Sequence, residues 1–317
     1  MRMPDKKRAP QDLPAPRRGV TDYLVLYMKG VAMGGADVVP GVSGGTIALL
    51  VGVYMELLES IRNASSGSLL GIFRRGGLRR YWRQMHGAFL MALGLGIATS
   101  VFTLASLITY LIEHHRQLVW AFFFGLIVAS IILVAKRIRK WTRTRAFLLV
   151  VGVAIGYFVS TAASTSMPDS PLFFFLAGAL AICAMILPGI SGSFILLLLG
   201  KYAAVMEAVH TLNFRVLLPV GAGAVVGILT FSHLLAWLLR RWEHATLALL
   251  TGFMGGSIVR VWPWQNHASD AGEGMLWPWE VTAAGGDPQL LWVLLLAVAG
   301  MLAVLALERL SSRATQG

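Results

Sequence analysis

Two short clusters hold the residue types in this chain that could do chemistry. Pro40-Gly41-Val42-Ser43-Gly44 runs on into Gly45 and Thr46, and Pro188-Gly189-Ile190-Ser191-Gly192 runs on into Ser193. In each, a proline stops a helix, glycines open backbone geometry closed to other residues, and a serine is placed to cap the helix that restarts. The first N–H groups of a restarted helix lack intrahelical partners, and the positive end of its dipole lies beside them. Such a tip suits an anion with a compact head, a phosphate or a carboxylate. The substrate-binding set expected on this ground is Pro40, Gly41, Ser43, Gly44, Gly45 and Thr46 with Pro188, Gly189, Ser191, Gly192 and Ser193. Ser193 stands where the first cluster has Gly45, so the two tips need not contribute equally.

Charged residues inside apolar runs extend this set, because they are costly there and face the protein interior. Asp37 precedes Pro40, Lys201 follows the second cluster, and Arg260 closes an apolar run. Lys201 or Arg260 can pair with an anionic head or reach for the interface, whereas Asp37 can balance a cation or carry a proton. Glu59 and Glu207 occupy equivalent places after the two clusters, where a salt bridge and proton coupling are both open. Lys29 reads as a side chain that snorkels. His233 has no partner at metal-ligand spacing and reads as a core or cavity histidine, so no metal site and no bound cofactor is expected.

A competing chemistry shares the same letters. Gly41-Val42-Ser43-Gly44-Gly45 fits G-x-S-x-G, the hydrolase nucleophile elbow, and both clusters contain the G-x-S-G of intramembrane serine proteases. The elbow needs a strand–turn–helix setting, which is absent here, and a protease needs one serine with a base. His233 is the sole candidate base within an expected crossing, and nothing near it in sequence orients it.

The elements that must position these residues are membrane helices. Hydrophobic residues make up 56% of the 317 and charged ones 13%, which sets the chain apart from soluble domains. The net charge of +12 sits in short clusters between apolar runs, a topology signal and not a nucleic-acid surface. Apolar stretches at approximately 86–112, 117–138, 146–163, 214–239, 244–261 and 289–308 approach or exceed the ~20 residues that cross a bilayer. Residues 24–60 and 172–208 are instead broken at the two clusters into halves of about 16 residues, too short for a ~30 Å core, and read as re-entrant hairpins.

The hairpins are copies of one another. Ile47, Leu49, Leu50, Gly52, Tyr54 and Glu59 meet Ile195, Leu197, Leu198, Gly200, Tyr202 and Glu207 at the spacing that relates the two clusters. Gly125 and Ser130 echo Gly252 and Ser257 at another spacing. Three crossings follow each hairpin, an odd number whether a hairpin re-enters or spans twice, so the second copy must be inverted. The expected fold is therefore all-α and polytopic: two inverted repeats, each a re-entrant hairpin plus three transmembrane helices. The divisions are a disordered cytoplasmic tail over 1–20, repeat one over 21–163, repeat two over 164–310, and a cytoplasmic tail over 311–317. With the N-terminus inside, 22 of the 27 Lys and Arg fall on cytoplasmic segments, which puts both termini in the cytoplasm. The 262–288 loop has no Lys or Arg, and its Trp-Pro-Trp triplets at 262–264 and 277–279 read as interfacial anchors.

The run from Gly30 to Thr46 (GVAMGGADVVPGVSGGT), with Leu187-Pro188-Gly189-Ile190-Ser191-Gly192-Ser193, resembles the PopT-type undecaprenyl-phosphate translocase family. The resemblance extends over essentially all of the chain after residue 20. It implies a flippase of the bacterial cytoplasmic (inner) membrane that returns undecaprenyl or other polyprenyl phosphate for reuse in envelope synthesis. What it adds to the residues is the lipid tail, since they speak only for an anionic head. The reading is thus a translocase without covalent chemistry, working by alternating access around the tips. Its partners are the polyprenyl phosphate and the bilayer, with no nucleic acid, and a homo-oligomer is compatible with it. An ion-coupled secondary transporter of a small soluble anion is the alternative, ahead of an intramembrane serine hydrolase.

This topology predicts that tags at residues 1, 142 and 317 lie in the cytoplasm and one near residue 272 outside. Impermeant thiol labelling of engineered cysteines measures it, and external labelling at position 142 would contradict the inversion.

Overall fold

The computed structural model describes residues 18–39, 42–65, 77–165, 167–266 and 274–314. Pro40, Gly41, the first tail and part of the acidic 262–288 loop therefore lie outside the described residues. The chain is almost wholly helical, apart from a two-residue antiparallel ladder pairing Gln265–Asn266 with Gly274–Met275. In order, the first half holds α1 (Val20–Asp37), α2 (Gly44–Leu50), α3 (Tyr54–Ser65), α4 (Gly77–Gln84), α5 (Gly87–Lys136) and α6 (Arg143–Thr161). The second half holds α7 (Pro171–Ile186), α8 (Gly192–Leu198), α9 (Tyr202–Thr211) and α10 (Phe214–Ser257). A 3-10 turn (Ile258–Val261), α11 (Pro278–Ala283) and α12 (Leu290–Ala314) complete it.

Among the described residues, five helices are long and apolar enough to cross a membrane, or seven if each of two sharply bent pairs is one span. The 48-residue stretch Phe214–Val261 would be about 72 Å as one rod, more than twice a ~30 Å core. It breaks at Trp242 (φ −139°, ψ 54°), as the 50-residue α5 breaks at His115 (φ −137°, ψ 37°). The parts of α5 before and after His115 are α5a and α5b, and those of α10 before and after Trp242 are α10a and α10b; with α6 and α12 they fall on the six apolar stretches of the sequence.

The hairpins differ from expectation in one respect. Their second arms are not continuous helices: α2 turns by 115° into α3, and α8 by 112° into α9. The bends fall at Gly52 (φ 75°) and Gly200 (φ 65°), where the left-handed backbone makes glycine the residue that fits without strain. The arm that reaches inward is thus only seven residues long in each copy.

In lipid, where apolar burial does not drive helices together, close packing of small residues does. A Cβ on Gly30 would lie 2.2 Å from the Leu93 carbonyl oxygen, and one on Gly96 2.1 Å from that of Tyr27, which locks α1 to α5a. The corresponding positions lock α7 to α10a: Gly178 against Val220 and Gly223 against Phe175, at 2.2 and 1.9 Å. Gly125 packs on Ala297 of α12 and Gly252 on Leu149 of α6, at 1.9 and 2.0 Å. Each contact in one half has its counterpart in the other, 148 positions on for the hairpin and last helix and 127 for the long broken helix. The last helix is exchanged: α6 packs on α10b and α12 on α5b, so the two halves are intertwined and not side by side.

Gly96→Ala should overpack the α1–α5a seam and lower stability by about 1–3 kcal/mol. Gly94, two positions earlier, has open space around it, so Gly94→Ala should leave the melting temperature unchanged or raise it. Thermal unfolding of the two variants in one detergent measures the difference.

Candidate functional site

The hairpin tips meet in the middle of the molecule, and they meet by hydrogen bonds. Helix α7 ends at Pro188, which strands the carbonyls of its last turn. Ser43 Oγ donates to the Met185 carbonyl at 2.9 Å and Tyr54 Oη to the Ile186 carbonyl at 3.0 Å. Thr46 Oγ1 also accepts the N–H of Gly189 (φ 101°), at 2.9 Å. Gly45 allows the approach, since a Cβ there would lie 2.6 Å from the Ile186 carbonyl oxygen. All three bonds run one way: side chains of the first hairpin satisfy backbone groups at the end of α7 and in the turn that follows it.

The first tip carries its own anion. Asp37 Oδ1 accepts the Gly44 N–H at 2.6 Å, and Ser43 Oγ accepts that of Gly45 at 3.1 Å, so the start of α2 is capped twice. Gly44 has to be glycine, because a Cβ would sit 2.4 Å from the Asp37 carboxylate. The carboxylate at the end of α1 therefore fills the place where an external anion was expected. At the far end of α2, Arg137 donates to the Leu49 and Leu50 carbonyls at 3.0 and 3.1 Å and Lys29 to that of Val51 at 2.9 Å. Cations at the C-terminal carbonyls complement Asp37 at the N-terminus.

The second tip is different. Met185 stands where the first copy has Asp37, so no carboxylate caps α8. Ser191 does not cap the helix either: its hydroxyl pairs with that of Ser193 at 2.7 Å. The Arg260 guanidinium lies over the Phe194 ring, 4.3 Å from its centroid, in the first turn of α8. Ser257 abuts the same tip, with its Oγ 2.6 Å from where a Gly189 Cβ would be. Phe194, which Arg260 covers, directly follows Ser191, Gly192 and Ser193, and Pro188 is buried in the turn behind them.

Other expected members lie elsewhere. Lys201 is 1% exposed at the outer bend, bonded to Asp169 and to the Met167 carbonyl, and does not reach the tips. Glu59 is 3.9 Å from Arg240, and Glu207 is exposed on α9. His233 is no core histidine; it is exposed and bonded to the Leu229 carbonyl of its own helix. The Trp-Pro-Trp rings pack on one another and on α5b. Trp262 stacks edge-on against Phe124, Trp264 and Trp277, and its N–H donates to the Leu276 carbonyl, closing a cap over α5b. Tyr54 and Arg137 were not picked out for the site from sequence. The duplication of Tyr54 in Tyr202 was the available signal for the first, and nothing marked the second beyond its charge.

The comparisons fall on this same region. A family model described as undecaprenyl phosphate translocase-like matches residues 33–275. The chain is 47% identical over 248 residues to a polyprenyl-phosphate transporter of Vibrio cholerae, a match covering 78% of this chain and 80% of that one. It is 35% identical over 254 residues to a polyprenyl-phosphate transporter of Staphylococcus aureus, covering 74% and 85%. No solved structure matches it.

The two serines should behave differently. Ser43→Ala leaves a buried N–H and a buried carbonyl short of a partner and should cost about 1–3 kcal/mol of stability. Ser191→Ala removes only a hydroxyl pair and should cost less. Thermal unfolding of the purified variants gives the ranking.

Proposed function

The chain belongs to the undecaprenyl phosphate translocase-like family, and on that premise we propose that it carries polyprenyl phosphate across the membrane by alternating access around the second hairpin tip. Arg260 beside the uncapped start of α8 is the observation that carries the reading. A seven-residue helix has a small dipole, so the guanidinium supplies most of the attraction for a phosphate, and the Ser191 and Ser193 hydroxyls supply donors beside it. The first tip, with Asp37 as its resident anion, buttresses the second through Ser43, Tyr54 and Thr46. The prenyl tail stays in lipid while the head passes.

The repeats are inverted in this reading, with boundaries at 21–163 and 164–310 and the last helix of each exchanged. Matching glycine seams and the matching breaks at His115 and Trp242 support it. The protein sits in the cytoplasmic membrane with both termini inside. No bond is made or broken in the lipid. Ser43 Oγ is committed to a carbonyl and an N–H and Ser191 Oγ to Ser193, an arrangement without the base that a nucleophilic serine needs.

Arg260→Ala should lower affinity for undecaprenyl phosphate by about tenfold to a hundredfold, the loss of one charge-assisted bond of roughly 1.5–3 kcal/mol. Asp37→Asn should abolish transport in protein that still folds. Lipid binding followed by native mass spectrometry, with inorganic phosphate as competitor, tests the first. Unchanged affinity would move the head group away from Arg260, and strong competition by inorganic phosphate would favour a small-anion carrier. A serine-directed phosphonate should leave no adduct on Ser43 or Ser191.

A further inference from the structure

The two halves match in sequence and seams but not in how their hairpins are packed. Helix α3 lies along α10a, where Glu59 is 3.9 Å from Arg240, just before the break at Trp242. Its counterpart α9 makes no comparable packing with α5, among the described residues. Equivalent side chains show the same difference. Tyr54 is 2% exposed and Tyr202 40%, Leu58 is 0% and Met206 39%, and Leu49 is 5% and Leu197 48%. A cavity of 410 Å³, lined by Phe174, Glu207, Asn213 and Arg215 among others, also lies between α9 and the starts of α7 and α10.

Resting on the inverted-repeat reading above, we propose that this is a state closed on the cytoplasmic face by α3 against α10a and open on the outer face. The reverse state closes by α9 docking on α5a beside the His115 break. Two inverted copies exchange conformations when the access side changes, so each contact of the closed half has a counterpart to be made by the open half. Tyr202 then donates to the Val38 carbonyl at the end of α1, as Tyr54 donates to Ile186 at the end of α7. Glu207 comes to the place that corresponds to Arg240, which is Glu113, with His114 and Arg116 beside it. An acid–base latch on the inner face is matched by a cluster of mixed charge on the outer one. The outer latch is the weaker, which accounts for the inner face being the closed one here.

The test uses full-length protein with Cys183→Ser and two cysteine pairs, Glu59→Cys with Arg240→Cys and Glu207→Cys with Glu113→Cys, cross-linked by a short bismaleimide in vesicles. The first pair should link readily without lipid. Undecaprenyl phosphate should raise the yield of the second pair at the expense of the first. Linking either pair should stop lipid transport, whereas the unlinked variants, checked for folding by size exclusion, keep some. A second pair that never links with lipid present would overturn the gate, as would a protein linked at the first pair that transports at the unlinked rate. Mutually exclusive linking in a protein that moves no polyprenyl phosphate would support the gate and overturn the proposed substrate.

Discussion

A broken helix inside a membrane strands backbone N–H and carbonyl groups where no water can reach them, and the rest of this molecule depends on how they are satisfied. For the second hairpin the answer comes from the first. The proline that ends α7 frees the Met185 and Ile186 carbonyls, and side chains of the other hairpin, Ser43 and Tyr54, take them up. Thr46 accepts the N–H that the second turn leaves over. The second hairpin depends on the first for these partners. The glycine seams hold each one's first arm on its long broken helix, so that the tips arrive in register.

In the proposed reading, duplication followed by divergence makes the site. One aspartate in the first copy, Asp37, caps the helix start and turns that tip into structure. Its counterpart in the second copy is Met185, so no carboxylate at that position caps the second tip, and Arg260 lies over Phe194 beside it. A symmetric pair of anion sites would attract two phosphates. In that reading the asymmetric pair offers one seat and one buttress, which suits a lipid with a single phosphate head.

Much of this was legible in the sequence because it depends on short-range chemistry. Pro-Gly, a serine and a small-residue run report a broken helix wherever they occur, and a duplicated cluster reports the repeat. The crossings were legible from apolar length, and the breaks at His115 and Trp242 fall in the short polar gaps between runs. The bends at Gly52 and Gly200 were hidden, since a lone glycine in an apolar run reads equally as a packing contact. Lys201 looked like a ligand because its carboxylate partner, Asp169, lies in a loop 32 residues earlier that only the fold brings close. Asp37 was placed among the site residues, but its acceptor role for Gly44 depends on how the chain turns through the break. The exchange of α6 and α12 between halves was beyond reach, because a glycine stripe announces a close contact without naming the helix that makes it.

The account turns on movement of an intact lipid between leaflets, and a leaflet-specific assay of undecaprenyl-phosphate exposure in vesicles reconstituted with the purified protein measures that directly. It predicts that protein-containing vesicles equilibrate the labelled head group between leaflets far faster than protein-free ones, that the lipid recovered is chemically unchanged, and that Arg260→Ala slows the exchange. Exchange no faster than in protein-free vesicles, in protein shown to be folded, would contradict it.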